Sequence, residues 1–164
     1  MKRAKATPVT RFECLDSHWQ TPLQELFAQT QVNHNAQAFI LRRQPDFFRL
    51  MRYQGRKAFV LGAIEQGELL GAMTVNIDQV FFDGQKRRCA YTADLKVLAA
   101  ARGRGIGDGL MQYAVQVARA QDPDILILTT VTADNPAGLR KNQKLYPLVH
   151  MQSVAALETV FFPC

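Results

Sequence analysis

The period of the apolar positions changes several times along this chain, and each change marks a predicted element. Val9 to Leu15 predicts a first strand. Thr21-Pro22-Leu23-Gln24 then has the composition of a helix start, with Thr21 at the N-cap, Pro22 at the first helical position and Gln24 at capping-box spacing. Leu23, Leu26 and Phe27 give that helix an apolar stripe, and a second helix is predicted over Asp46 to Tyr53, where Phe47, Phe48, Leu50 and Met51 alternate with Arg49 and Arg52. Beyond Gly55 the pattern becomes that of strands, Ala58 to Ile64 and Leu69 to Phe82, punctuated by Gly62, Gly67, Gly71 and Gly84. Asp83-Gly84 between apolar runs is a hairpin signal, so Val80-Phe81-Phe82 should pair antiparallel with a strand that begins near Arg88 and runs from Cys89 to Leu98.

The next stretch returns to helical spacing. Ile106, Leu110, Tyr113, Ala114 and Val117 recur on one face, and the helix should end before Asp122-Pro123. Ile125-Leu126-Ile127-Leu128 is a near-continuous apolar run, as expected of a parallel strand covered on both faces. A strand, a helix and a parallel strand form a right-handed crossover. Asn135 at a cap and Pro136 at the first position predict a further helix to about Leu145, and Leu148 to Phe162 would supply one or two closing strands.

Composition narrows the class. The 164 residues suit one domain spanning positions 1–164, and 48% hydrophobic with 21% charged residues is an ordinary soluble globular balance. No apolar run approaches the length that spans a bilayer, and Met1-Lys2-Arg3-Ala4-Lys5 leads into polar sequence, so a cytoplasmic protein is expected, with no membrane partner. Cys14, Cys89 and Cys164 are widely spaced, and His18, His34 and His150 stand alone, which predicts free thiols and no metal. The net charge of +6 suits an anionic ligand without naming it. Nucleic acid is disfavoured, because the cations are dispersed and lack interleaved aromatics. The oligomeric state stays open, a homodimer included, as does the question of a longer parent polypeptide.

The chemistry concentrates where a strand stops at Arg102-Gly103-Arg104-Gly105-Ile106-Gly107 and a helix follows directly. Glycines there permit positive φ and close approach of a ligand to the backbone. Successive N–H groups at a helix N-terminus make an anion site, strengthened here by Arg102 and Arg104. Spacing then discriminates. G-x-G-x-x-G fails in both registers, at Asp108 and at Leu110, and no Gly-Lys-Ser/Thr follows for a Walker A loop.

What matches is Arg-x-x-Gly-x-Gly, here Arg102, Gly105 and Gly107, and with its flanks this segment resembles the GCN5-related N-acetyltransferase (GNAT) superfamily. Leu95 to Gly107 is similar to that family's fourth strand, pyrophosphate loop and third helix. Leu128 to Val131 with Asn135 is similar to its fifth strand and the asparagine opening its fourth helix. The resemblance covers Tyr91 to Leu145. It implies an α/β (α+β) fold with a mixed, mostly antiparallel sheet, splayed parallel strands four and five, and helices on both faces. It further implies acetyl-CoA or another acyl-CoA as cosubstrate and a small-molecule or peptide amine as its partner. Backbone groups of Leu95 and Val97 would hold the pantetheine, and Arg102, Gly103, Arg104, Gly105, Ile106 and Gly107 would hold the pyrophosphate, with Asn135 beside the coenzyme.

For catalysis, Asp94 is the carboxylate expected nearest the thioester and so the candidate base, with Glu65 and Asp78 weaker alternatives; its bland reading is a strand carboxylate paired with a neighbouring cation. Many family members carry an acidic tyrosine seven residues after the helix-four asparagine, where this chain has Asn142. Tyr146 lies four residues on, ahead of Pro147, and is the candidate acid in its stead. The expected function is an acyl-CoA-dependent N-acyltransferase, most simply an acetyltransferase. A non-catalytic acyl-CoA sensor is the alternative. The acceptor is expected to meet the segment from Ile40 to Tyr53, with Arg42, Arg43, Phe47 and Phe48.

Overall fold

The computed structural model describes residues 9–30, 32–34, 37–40, 42–131, 135–136 and 138–140. The chain opens with β1 (Arg11–Leu15), a 3₁₀ turn (Ser17–Trp19) and α1 (Gln20–Gln29). A short ladder follows, β2 (Val32–His34) against β3 (Gln37–Phe39), and then the single-turn α2 (Met51–Gln54). Three long strands, β4 (Lys57–Glu65), β5 (Glu68–Phe82) and β6 (Gln85–Val97), form a meander. A second 3₁₀ turn (Ala99–Ala101), α3 (Ile106–Gln121) and β7 (Leu126–Thr129) complete the described order.

The main sheet runs β1-β4-β5-β6-β7, antiparallel throughout except for β6 and β7, which pair parallel from Cys89↔Leu126 to Thr92↔Thr129. Both two-residue turns of the meander, Gln66-Gly67 and Asp83-Gly84, have positive φ at both positions. That is the turn whose twist matches the flanking strands, and it explains why Asp83-Gly84 is a readable hairpin signal. The predicted strand, helix and parallel strand are present, and α3 ends one residue before Asp122, whose N–H donates to the carbonyl of Ala118.

Helices cover both faces. Leu23, Leu26 and Phe27 of α1, with Phe47 and Met51, pack on Leu15, Val60, Ile64, Leu69 and Ala72. On the other face Ile106, Leu110, Met111, Ala114 and Ala118 of α3 pack on Leu61, Met73, Val75, Ile77 and Ala90. Alternation along each strand sends neighbours such as Val60 and Leu61 to opposite cores. Gly109 lets α3 lie close: a Cβ there would stand 2.2 Å from Cζ of Phe12.

The start of α1 differs from expectation. The helix begins at Gln20 rather than behind a Thr21 cap, and Asp16 caps the preceding 3₁₀ turn by accepting from the His18 N–H at 3.0 Å. Pro22 thereby becomes the third helical residue, which is tolerated because N–H groups of a first turn have no intrahelical partner. Gln24 does not reach back to a cap. Its amide donates to the carbonyls of Arg43 (2.9 Å) and Pro45 (3.0 Å), tying the segment after β3 to α1. The predicted second helix is largely turns, with α-helix only from Met51.

Candidate functional site

Past Thr92 the two parallel strands part: β7 ends at Thr129 while β6 continues to Val97, so among the described residues the β7-facing edge of β6 is open from Ala93 onward. A β-bulge accompanies the parting. Between the pairs Thr74↔Ala93 and Ala72↔Lys96, β6 spends two residues, Asp94 and Leu95, against the single Met73 of β5. Asp94 takes φ of 59°, a left-handed conformation that aspartate enters more readily than most residues. After the bulge the N–H of Leu98 donates to the Leu70 carbonyl, so by strand alternation the N–H and C=O of Val97 point the other way, to the open edge. Leu95 and Val97 are half-buried, with side chains against the α3 core.

This edge runs into the glycine turn. Gly103 (φ 79°) and Gly105 (φ 78°) are both left-handed, and Gly105 is the N-cap of α3, its carbonyl accepting from the Gly109 N–H at 2.9 Å. A Cβ at either position would touch nothing within 4 Å, so glycine is required by the backbone angle and the space beside it is open. Ile106 (3% exposed) anchors the helix start in the core, and Gly107 is buried in the first turn with helical backbone. The N–H groups of that first turn stand at the positive end of a 16-residue helix, where an anion is favoured.

The arginines are engaged within the protein. Arg104 bonds Glu65 Oε2 at 2.5 Å, and Thr10 donates to the same oxygen at 3.0 Å. This pair holds the Glu65 carboxyl below its ordinary range. Arg104, Gly105, Ile106 and Gly109 also line an open cavity of about 300 Å³ with Thr10 and Phe12. Arg102 is exposed, and its Nε donates to the Val97 carbonyl at 3.3 Å. Asn135 caps a helical turn as predicted, Oδ1 accepting from the Gly138 N–H at 2.9 Å and its carbonyl from the Leu139 N–H at 3.1 Å. Tyr146 and Asn142 lie outside the described residues, as does the stretch from Leu148 to Phe162.

On the α1 and α2 face, directly behind the open edge, lies a polar cluster. Asp94 Oδ2 is ion-paired with Nη2 of Arg43 and accepts from Thr74 Oγ1 at 3.2 Å. The Arg43 guanidinium stands to one side of the edge-to-face pair of Phe27 and Phe47, 5.4 Å and 5.2 Å from their ring centroids, and also reaches Met51 Sδ. The pairing anticipated as the bland reading of Asp94 is thus present, with a partner 51 residues away in the segment expected to meet the acceptor. Glu65 is held by Arg104 at the far side of the turn, and Asp78 is paired with Arg56 at 3.2 Å. Lys96 was missed by sequence reading, as were Thr74 and Asn76, although polar residues at every second position, in Thr74-Val75-Asn76 and Asp94-Leu95-Lys96, were a signal that one strand face carries polar groups.

Sequence comparison settles the family: residues 19–146, well over half of the chain, match the model of the acetyltransferase (GNAT) family. This chain belongs to that family. It is accordingly an enzyme of the GNAT N-acetyltransferase type, with the mixed sheet and splayed parallel strands of the fold. Solved structures show the same fold at low identity. A transcriptional regulator from Bacillus halodurans C-125 is 18% identical with a TM-score of 0.72, the match covering 93% of this chain and 100% of that one. Glucosamine-6-phosphate N-acetyltransferase from Arabidopsis thaliana is 15% identical (TM-score 0.67, 94% and 99% covered). An aminoglycoside acetyltransferase from an uncultured soil metagenomic sample, solved with sisomicin, is 17% identical (TM-score 0.65, 93% and 97% covered). None of the curated proteins compared with the chain matched it. No helix among the described residues is long and apolar enough to cross a membrane.

Proposed function

We propose that this GNAT protein transfers an acyl group, most simply acetyl, from its coenzyme A thioester to an amine. The observation that carries the proposal is the open edge of β6 leading, through the short 3₁₀ turn at Ala99–Ala101, into a left-handed glycine turn and the N-terminus of α3. Acyl-CoA supplies an activated acyl thioester. The backbone of Leu95 and Val97 binds its amide-bearing arm as a further strand would, and N–H groups from Arg102 to Gly107 receive the pyrophosphate.

The outward N–H of Val97 is placed to polarise the thioester carbonyl. The amine nitrogen attacks that carbonyl carbon; the new C–N bond forms as the C–S bond breaks, and the thiolate takes a proton. Asp94 is the carboxylate through which the amine's proton leaves, directly or by way of water, by its oxygen not engaged with Arg43 and Thr74. Tyr146 is retained as the candidate donor to the thiolate, and Asn135 as the cap that orients the helical turn beside the coenzyme.

Calorimetry with CoA and acetyl-CoA tests the site. Gly105→Val puts a β-branched residue at positive φ, which it does not tolerate, so the turn must leave the left-handed region. CoA affinity should fall at least tenfold (roughly 1.4 kcal/mol) in a variant that still melts cooperatively. A folded Gly105→Val protein with native CoA affinity would remove the turn from the proposal. Thiol release with an amine panel then reads the transfer itself.

A further inference from the structure

The polar cluster on the α1 and α2 face has a charge imbalance. Arg43 and Asp94 satisfy each other through a hydrogen-bonded ion pair. Lys96, on the same face of β6, is 9% exposed, and among the described residues its Nζ makes no hydrogen bond; it stands 6.0 Å from the centroid of the Phe27 ring that Arg43 also flanks. Among the described residues two cations thus share one carboxylate. Burial pushes the Lys96 ammonium down, Asp94 pulls it back up, and Arg102 and Arg43 lower it further. A largely buried lysine whose described counter-charge is shared with Arg43 gains from a further anion at its ammonium.

The position of Lys96 suggests what completes it. Lys96 sits between Leu95 and Val97, whose backbone forms the edge proposed to hold the thioester, so its side chain rises from the same stretch of β6, on the face that carries the segment expected to meet the acceptor. A cation there is complementary to an acceptor that bears an anion.

Building on the acyltransferase reading, we propose that the amine acylated here carries an anionic group of its own, a carboxylate or a phosphate, and that Lys96 receives it with Arg43 behind. The surrounding positive charge also favours the acceptor amine in its neutral, nucleophilic form over its ammonium form.

The test uses the whole protein and matched acceptor pairs: butylamine against 4-aminobutyrate for carboxylate, and ethanolamine against phosphoethanolamine for phosphate. At least one anionic member should exceed its neutral partner in kcat/KM by tenfold or more, mainly through KM, and which pair shows the gap identifies the anion. Lys96→Met should reduce the gap to under threefold, and Lys96→Arg should keep it. CoA affinity by calorimetry should stay within twofold in both variants. Where turnover is too slow to read, calorimetric binding of each pair to the CoA complex is compared by the same ratios. Equal handling of charged and neutral acceptors, or a preference that survives Lys96→Met, overturns the proposal. Absence of CoA binding to the wild-type protein would instead overturn the acyltransferase reading beneath it.

Discussion

Arg43 and Asp94 show what a single side chain does in this site and how little of it is local. Gln24 holds the Arg43 carbonyl, the Phe27 and Phe47 rings flank one side of the guanidinium, and Asp94 neutralises it from the bulge. Both side chains are largely buried, so removing one partner leaves the other without compensation. Arg43→Met should lower unfolding free energy by about 3–5 kcal/mol in urea titrations. Asp94→Asn added to that variant should restore roughly 2 kcal/mol or more, since asparagine accepts a positive φ and carries no charge. Equal stability of the single and double variants would show that the pair is not the unit described. Asp94 could be singled out from its neighbourhood in sequence; its partner could not, because nothing within a strand window marks a residue 51 positions upstream.

At the scale of elements, local signals were legible and contacts across elements were not. Asp83-Gly84 and the stretch from Ile106 to Gln121 carry their own instructions, a left-handed turn and a 3.6-residue apolar period, and the structure follows both. The α1 start went otherwise because Asp16 and a 3₁₀ turn compete with Thr21 for the cap, and the β2–β3 ladder is too short for periodicity to announce. Gly109 makes the point quantitatively. Mid-helix glycine costs about 1 kcal/mol against alanine, so propensity alone favours Gly109→Ala. The Phe12 ring at 2.2 Å reverses the sign, because overpacking of a rigid ring costs about 1–3 kcal/mol. Thermal melts should show Gly109→Ala destabilised in the native background and neutral or stabilised once Phe12→Leu has made room. Destabilisation of equal size in both backgrounds would refute the steric account.

For the molecule as a whole, the parallel pairing of β6 and β7 is only four residue pairs long, and among the described residues β6 has no strand partner on that side beyond it. A ligand that completes the edge should stabilise the fold by linkage. At a CoA concentration a hundred times Kd the gain is about 2.7 kcal/mol, which for a domain of this size corresponds to a rise in Tm of roughly 5–10 °C. Hydrogen exchange should slow at Leu95 and Val97 on addition of CoA, and unchanged exchange there would mean that the coenzyme does not lie along the edge.

The bulge at Asp94 and Leu95 also determines how this sequence can vary. Upstream of it, odd-numbered residues of β6 such as Tyr91 and Ala93 face α1 and α2; downstream, Lys96 does and Val97 turns to α3. The extra residue is a parity switch. Deleting one residue there would let β6 pair one-to-one with β5, leaving Lys96 opposite Ala72 and Val97 against α3, so the downstream strand would absorb the change. The loss would fall on Arg43 alone: without Asp94 its carboxylate is gone, and without Leu95 the aspartate takes the place opposite Met73, on the α3 face. Natural variation between Ala93 and Val97 should therefore keep the extra residue wherever Arg43 keeps its partner.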